Sequence, residues 1–210
     1  MRLDVRVLPA GARAVLVETA DGAQAEALHA ELLRRRAAGE FAEVTEIVPA
    51  ARTVLLSGLA DPRAFAVDVT CWDVPPVVPG EAPAVELPVR FDGPDLAEVA
   101  GLWGVSAEAA VDIVQDTPFR VAFCGFAPGF GYLTGLPERL HVPRRRTPRT
   151  TVPAGSVALA GPYAGVYPRP SPGGWQLIGR TGAQLWDPGR EPAALLAPGT
   201  EVRFTAVAAR

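Results

Sequence analysis

Glycine and proline constrain this chain more than any other feature. It holds 21 glycines and 22 prolines in 210 residues, and 21 of those 43 fall within residues 117–186, one third of the length. Proline fixes φ and lacks an N–H, while glycine frees the backbone for tight turns, so long helices are disfavoured throughout this third. It reads as short strands separated by turns. Arg120–Cys124, Ser156–Ala160, Trp175–Ile178 and Glu201–Val207 all alternate; the last does so most cleanly, with Val202, Phe204 and Ala206 against Glu201, Arg203 and Thr205. Such a series predicts an antiparallel barrel or sandwich.

A second proline cluster, at positions 75, 76, 79, 83 and 88 within Asp73–Pro88, reads as an extended linker, because proline also biases its predecessor away from helix. It divides the chain into domains of residues 1–82 and 83–210. In the first, Leu3, Val5 and Val7 face one way and Arg2, Asp4 and Arg6 the other, the period of a half-exposed strand. A strand at Ala14–Val17 follows. Asp21 then N-caps a helix, with Gln24 closing a capping box, Ala25, Leu28 and Leu32 as its buried stripe and Gly39 at its C-terminal end. Strands near Thr45–Val48 and Thr53–Leu56 lead to Asp61-Pro62, the N-cap and first residue of a helix through Phe65 and Val69. The order, close to β-β-α-β-β-α, is that of a small α+β domain. After the linker, helices over Asp95–Leu102, stopping near Gly104, and Ser106–Gln115 precede the strands.

All 20 basic residues are arginine. Without lysine there is no P-loop of the G-x-x-x-x-G-K-[ST] kind, no Schiff-base lysine and no lysine to carry biotin or lipoate. Cys71, Cys124, His29 and His141 are too few and too scattered for a zinc framework, and no metal site is expected. Two cysteines in so long a chain point to a reducing compartment. No apolar run approaches 18 residues, and Met1–Arg6 does not resemble a signal peptide, so a cytoplasmic protein without a membrane span is expected. The net charge of -3 conceals an asymmetry: residues 117–186 carry eight arginines against Glu138 alone, about +7, leaving about -10 elsewhere. That total argues against nucleic acid and favours a partner protein or a small anion for the basic third.

The motifs lie between residues 125 and 181. They run Gly125-Phe126-Ala127-Pro128-Gly129-Phe130-Gly131-Tyr132-Leu133, then Gly135-Leu136-Pro137, Pro143-Arg144 and Pro148-Arg149, then Val152-Pro153-Ala154-Gly155-Ser156-Val157. Gly165-Val166-Tyr167-Pro168, Ser171-Pro172-Gly173-Gly174-Trp175 and Ile178-Gly179-Arg180-Thr181 complete them. The Ser171–Trp175 turn either offers successive N–H groups to an anion or is simply a tight turn with Trp175 filling a barrel. Arg144, Arg149 and Arg180 are either bidentate anion clamps or members of a salt-bridged surface, and Arg145 and Arg146 fit the second description better. Phe126, Phe130 and Tyr132 line a pocket or interface, or plug a barrel end. Ser156 and Ser171 have no neighbouring histidine to activate them, which argues against a Ser-His-Asp hydrolase. Cys124, on a strand, reads as a small buried hydrophobe, and His141 as a loop residue.

Taken together, these motifs resemble the B-type component of bacterial ATP-dependent 5-oxoprolinase, the PxpB/KipI family, also called allophanate hydrolase subunit 1, and part of the carboxyltransferase region of urea carboxylase. The resemblance implies a small α+β domain followed by a cyclophilin-like β-barrel. It implies an enzyme subunit, inactive alone, that helps to open 5-oxoproline to glutamate with ATP and Mg, by phosphorylating the poorly electrophilic lactam oxygen, or to cleave the allophanate- or urea-type amide of the same family, two substrates that the motifs do not separate. A C-type subunit, also called allophanate hydrolase subunit 2, and an A-type subunit are the partners it implies. Arg144, Arg149, Ser156, Tyr167, Ser171, Gly173, Gly174 and Arg180 then become the candidate substrate- and anion-binding set, with Arg149, Arg180 and Ser171 the candidates for catalysis. Phe126, Phe130, Tyr132 and Trp175 form the candidate pocket or interface. The chain departs from the family pattern twice: Gly11-Ala12 stands where Gly-Asp is common, and Val114 or Gln115 where a histidine often precedes the first barrel strand. Two other functions fit the resemblance, a KipI-like inhibitor of a sensor histidine kinase and a non-catalytic cyclophilin-like binding module.

Overall fold

The computed structural model describes residues 1–78 and 84–207. The chain divides into two units, Met1–Val78 and Pro79–Arg210, and the boundary expected at 82/83 lies outside the described residues.

In the first unit the alternating segments become β1 (Val5–Gly11), β2 (Ala14–Thr19), β3 (Glu46–Pro49) and β4 (Thr53–Ser57), an antiparallel sheet in the order β1-β2-β4-β3. Helices α1 (Gly22–Ala37) and α2 (Pro62–Val69) supply the rest of the core. Val15, Val17, Val54 and Leu56 of the sheet are buried in one cluster with Ala25, Leu28 and Leu32 of α1 and with Phe65 and Val69 of α2. Asp21 caps α1 by accepting from the Gln24 N–H at 2.8 Å, but the capping box does not close. The Gln24 side chain instead accepts from the Asp4 N–H at 2.8 Å, tying the first turn of α1 to the segment before β1. Gly39, at φ +91°, follows the C-cap Ala38. Asp61 caps α2 through the N–H groups of Arg63 and Ala64.

Glu31 of α1 is buried, and it accepts from Arg34 at 2.7 and 2.8 Å and from Arg35 at 2.6 Å. The Arg35 guanidinium also lies 3.8 Å over the Trp72 ring. Hydrogen bonding from Arg34, resisted by burial and reinforced by Arg35, draws the Glu31 carboxyl from 4.5 to about 2. A carboxyl depressed in the folded state stabilises above its unfolded pKa and loses that contribution as pH falls through the folded value. The N-terminal unit should therefore weaken between pH 4.5 and about 2. Plotting the urea midpoint against pH tests this: Glu31→Gln should flatten the slope in that window, and an unaltered slope would count against it.

In the second unit, α3 (Leu96–Trp103) ends at Gly104 with φ +70°, and α4 (Ala107–Asp116) starts from the Ser106 cap. A seven-stranded sheet follows the order β12-β9-β10-β7-β6-β13-β5. Its strands are β5 (Ala84–Val89), β6 (Phe119–Cys124), β7 (Gly131–Thr134), β9 (Ser156–Ala160), β10 (Tyr163–Val166), β12 (Gln176–Arg180) and β13 (Glu201–Ala206). A separate ribbon pairs β8 (Arg149–Val152) with β11 (Ser171–Gly173). The expected antiparallel barrel is present with one exception, the parallel pairing of β13 with β5. The linker expected over Asp73–Pro88 is corrected here, because its last residues form β5. Pro88 lies on a terminal strand that is laddered on one side, where a missing N–H is tolerated.

The sheet is drawn into a barrel at a seam. Arg90 and Arg180 exchange N–H···O bonds of 2.8 and 2.9 Å, and the Gly93 and Asp95 N–H groups reach the carbonyls of Ile178 and Leu177 at 3.2 and 3.0 Å. The interior holds Leu87, Val89, Phe119, Val121, Leu133, Val157, Leu159, Ile178, Val202 and Phe204. The rings of Phe119 and Phe204 meet 5.2 Å apart. Alternation in β13 holds for Val202 and Phe204 but breaks at both ends: Glu201 is buried, 3.8 Å from Arg120, and Ala206 is exposed. Among the described residues no helix is long and apolar enough to cross a membrane.

Candidate functional site

The turn after β6 folds tightly, with Ala127 N–H on Gly125 O at 2.7 Å, Phe130 N–H on Ala127 O at 2.9 Å and Gly125 N–H on Phe130 O at 3.2 Å. Phe126 is held at φ +67° in this turn and is left 57 % exposed. Gly129, at φ +83°, packs against Trp186 and the Leu185 carbonyl, where a side chain would not fit. Behind the turn, Phe130 meets Phe126, Tyr132, Tyr167 and Trp175 at centroid distances of 5.3, 5.0, 5.3 and 5.5 Å. Phe130, Tyr167 and Trp175 are buried, while Tyr132 is half-buried and stacks on Phe123 at 4.4 Å. Of the four residues expected to line a pocket or interface, Phe130 and Trp175 fill a second core, and Phe126 with part of Tyr132 forms its open face.

Tyr167 explains the glycine at 173. A side chain there would collide with the Tyr167 hydroxyl, whose oxygen is hydrogen-bonded by the Trp175 N–H. The Ser171–Trp175 turn therefore directs one of its N–H groups to a phenol of its own barrel. Burial raises the Tyr167 phenol, and Arg144 is foremost among the groups that oppose the rise. Tyr132 shows the same contest between burial and Arg144. Arg144 is exposed, makes no ion pair or hydrogen bond among the described residues, and its charge acts on both of these phenols.

The other arginines of the basic third are mostly engaged, and their anchor is a residue the sequence offered only as a helix start. Asp95 is buried and does not cap α3. Its Oδ1 accepts from Arg145 Nη1 at 2.8 Å and Arg149 Nη2 at 2.7 Å, and its Oδ2 from the Leu177 N–H at 2.7 Å. Burial pushes its carboxyl up, but Arg149, the Leu177 N–H and Arg145 together hold it below the usual range. Arg145 N–H reaches Gly174 O at 2.7 Å and Arg149 Nη1 reaches Trp175 O at 3.5 Å, so one carboxylate fixes both the 144–149 loop and the 171–175 turn. No local pattern announces such a residue, because its partners lie 50, 54 and 82 positions away.

Arg180 stands apart from the rings. Its side chain is 60 % exposed and pairs at 2.8 Å with Asp92, which Arg90 Nε also meets at 2.7 Å across the seam. Ser156 is buried opposite Arg180 in the β9–β12 ladder, and its carbonyl accepts from the Tyr167 N–H at 3.0 Å. Ser171 is buried with Oγ on the Arg169 carbonyl at 3.2 Å. Phe126, Phe130, Tyr132, Arg144, Arg149, Tyr167, Gly173, Gly174 and Trp175 are thus brought together, and Arg180 and Ser156 join them only through the backbone ladder. His141 places a ring nitrogen 3.2 Å from Leu136 O. Cys124 donates to Leu196 O at 3.1 Å, and burial pushes its thiol up, away from nucleophilic use. Where the family often has histidine, Val114 is buried in the core and Gln115 accepts from the Ala206 N–H at 2.8 Å.

Chemically, the patch can hold an anion against Arg144 with an aromatic floor beneath it. Its carboxylate, Asp95, is already shared by two arginines and so is not free to act as a base. Among the described residues no three His, Cys, Asp or Glu side chains group so as to hold a metal ion.

Residues 5–196 match the family described as carboxyltransferase domain, subdomain C and D. The chain is 42% identical over 173 residues to the B-type component of 5-oxoprolinase from Escherichia coli O157:H7, covering 79% of each. It is 45% identical over 126 residues to the protein of the same name in Bacillus subtilis, covering 59% of this chain and 52% of that one. Among solved structures, TTHA0988 superposes with TM-score 0.75 at 34% identity, over 94% of this chain and 40% of its own. The Kluyveromyces lactis urea carboxylase shares the fold, with TM-score 0.66 at 19% identity over 97% of this chain and 22% of that one. The chain thus spans about half of the Bacillus relative and two fifths of TTHA0988.

Proposed function

The chain belongs to the carboxyltransferase-domain family, subdomains C and D, and from that premise we propose that it is the B-type component of a heteromeric, ATP-dependent 5-oxoprolinase in the cytoplasm. The observation that carries the site assignment is Arg144: an exposed cation without an ion partner among the described residues, whose charge acts on the Tyr132 and Tyr167 phenols. In this reading Arg144 takes the substrate carboxylate bidentately, as guanidinium does best, and the Phe126–Tyr132 face supports the lactam ring and sheds water from it. Tyr167 and Gly173 keep that floor rigid, and Asp95 holds the loop that presents Arg144. Arg149 and Arg180 act by holding the frame, through Asp95 and Asp92. In this reading nucleotide, metal, nucleophile and base come from a C-type subunit, with an A-type subunit completing the complex.

Reconstitution with the C-type and A-type subunits, followed by glutamate release from 5-oxoproline with and without ATP, tests this. Arg144→Ala should raise KM for 5-oxoproline by about 10- to 100-fold, the worth of a charge-assisted hydrogen bond, while leaving the fold intact. An unchanged KM would remove Arg144 from the site, and turnover without ATP would overturn the reaction.

A further inference from the structure

Gln176, the first residue of β12, is 1 % exposed in a strand whose next two residues, Leu177 and Ile178, are apolar and buried. Its Oε1 is buried and meets no donor among the described residues. An unpartnered acceptor in a protein interior lowers stability, and an apolar side chain of the same shape removes that loss. The other end of the amide is engaged. Nε2 donates to the Pro143 carbonyl at 3.3 Å and to Glu98 Oε1 at 3.4 Å. Both acceptors belong to exposed residues, so water can serve them in its absence. Stability therefore does not explain why an amide stands here.

Its position does. The Pro143 carbonyl belongs to the peptide bond that leads into Arg144. On the far side of Arg144, the Arg145 N–H donates to Gly174 O at 2.7 Å. Two residues of one short segment, Gly174 and Gln176, thus grip the loop at 143 and at 145, with Arg144 between them. The side chains of Arg145 and Arg149 hold the rest of the loop through Asp95, but neither bond acts on the peptide before Arg144. Arg144 is left with a backbone fixed on both sides and an exposed guanidinium that has no ion partner among the described residues. A cation presented in this way meets an anion without first ordering its own loop, which is how preorganisation raises affinity.

We propose that Gln176 is a positioning residue for Arg144: its Nε2 sets the 143–144 peptide, and with it the place where Arg144 receives the substrate carboxylate. This deepens the function proposed above and rests on it. Gln176 itself is buried and acts only through Arg144.

Kinetics of the reconstituted enzyme and urea unfolding of this chain, measured on the same variants, test the assignment. Gln176→Met keeps the length of the side chain and removes both the donor and the stranded oxygen. KM for 5-oxoproline should rise about 5- to 10-fold, the worth of one hydrogen bond, with kcat within twofold. The urea midpoint should equal or exceed that of the wild type, a result that a merely structural amide does not give. In an Arg144→Ala background the same change should alter KM by less than twofold, because the residue it acts through is gone. A lowered midpoint, or an undiminished effect on KM in the Arg144→Ala background, would make Gln176 a packing residue and overturn the proposal. An unchanged KM in Gln176→Met, beside a raised KM in Arg144→Ala, would overturn the positioning role and leave the site standing. An unchanged KM in both variants would overturn the site assignment, and this proposal with it.

Discussion

Asp95→Ala is expected to lower the stability of the second unit by about 3 kcal/mol or more, the cost of removing one partner from a buried ion cluster. Two guanidinium groups and the Leu177 N–H lose their acceptor at once. Asp95→Asn should fall between this variant and the wild type, since it keeps an oxygen for Leu177 but loses the charge. Because the Asp95 carboxyl is held below its usual range, its contribution is complete above the unfolded carboxylate pKa and fades as pH drops through the lower folded value. Urea unfolding at neutral pH is the measurement, and coincident midpoints for wild type and alanine variant would show that the cluster is ornamental. The variant should also release the 144–149 loop, so in the reconstituted enzyme its KM should rise as that of Arg144→Ala does.

Gly93→Ala should cost about as much, for a steric reason. A methyl group on Gly93 would strike the backbone at Leu177, Ile178 and Gly179 in β12, and backbone atoms in a ladder cannot step aside as a flexible side chain can. Overpacking of this kind typically costs about 1–3 kcal/mol and more when the obstacle is rigid, so about 3 kcal/mol is expected. Gly101 is the contrast. It lies within α3 with open space around its Cα, and Gly101→Ala should stabilise by up to about 1 kcal/mol through helix propensity alone. Equal midpoints for the two alanine variants would dismiss the seam as a tight contact.

The parts that were legible in the sequence were those written in local order. Asp21, Asp61-Pro62, Ser106 and Gly104 mark helix ends because capping chemistry operates within three residues. Gln24 shows the limit of that reasoning: its spacing from Asp21 suits a capping box, yet a tertiary acceptor role toward Asp4 prevailed. The four strands read from alternation were all present, whereas β7, β8, β10 and β11, of three or four residues each, are too short to display a period. β5 was hidden by Pro88, whose usual meaning reverses on a strand laddered on one side. Within the candidate site, the resemblance pointed to loops that the fold brings together but not to their division of labour. Whether an arginine is free or engaged depends on acids 50 or more positions distant, so Arg144 and Arg149 look alike in sequence and differ entirely in the fold.

The parallel pairing of β5 with β13 also sets an order of events during synthesis. Leu87 pairs with Phe204, 117 residues later, so β5 leaves the ribosome long before its partner exists. Until then its apolar positions Val85, Leu87 and Val89 are an unprotected strand edge, the kind of surface on which nascent chains aggregate. Glu86 and Pro88 alternate with them, a charge and a residue that cannot donate to a ladder, and both act as gatekeepers against a wrong partner. The proline that looks out of place in the finished barrel guards the chain while the barrel is still incomplete.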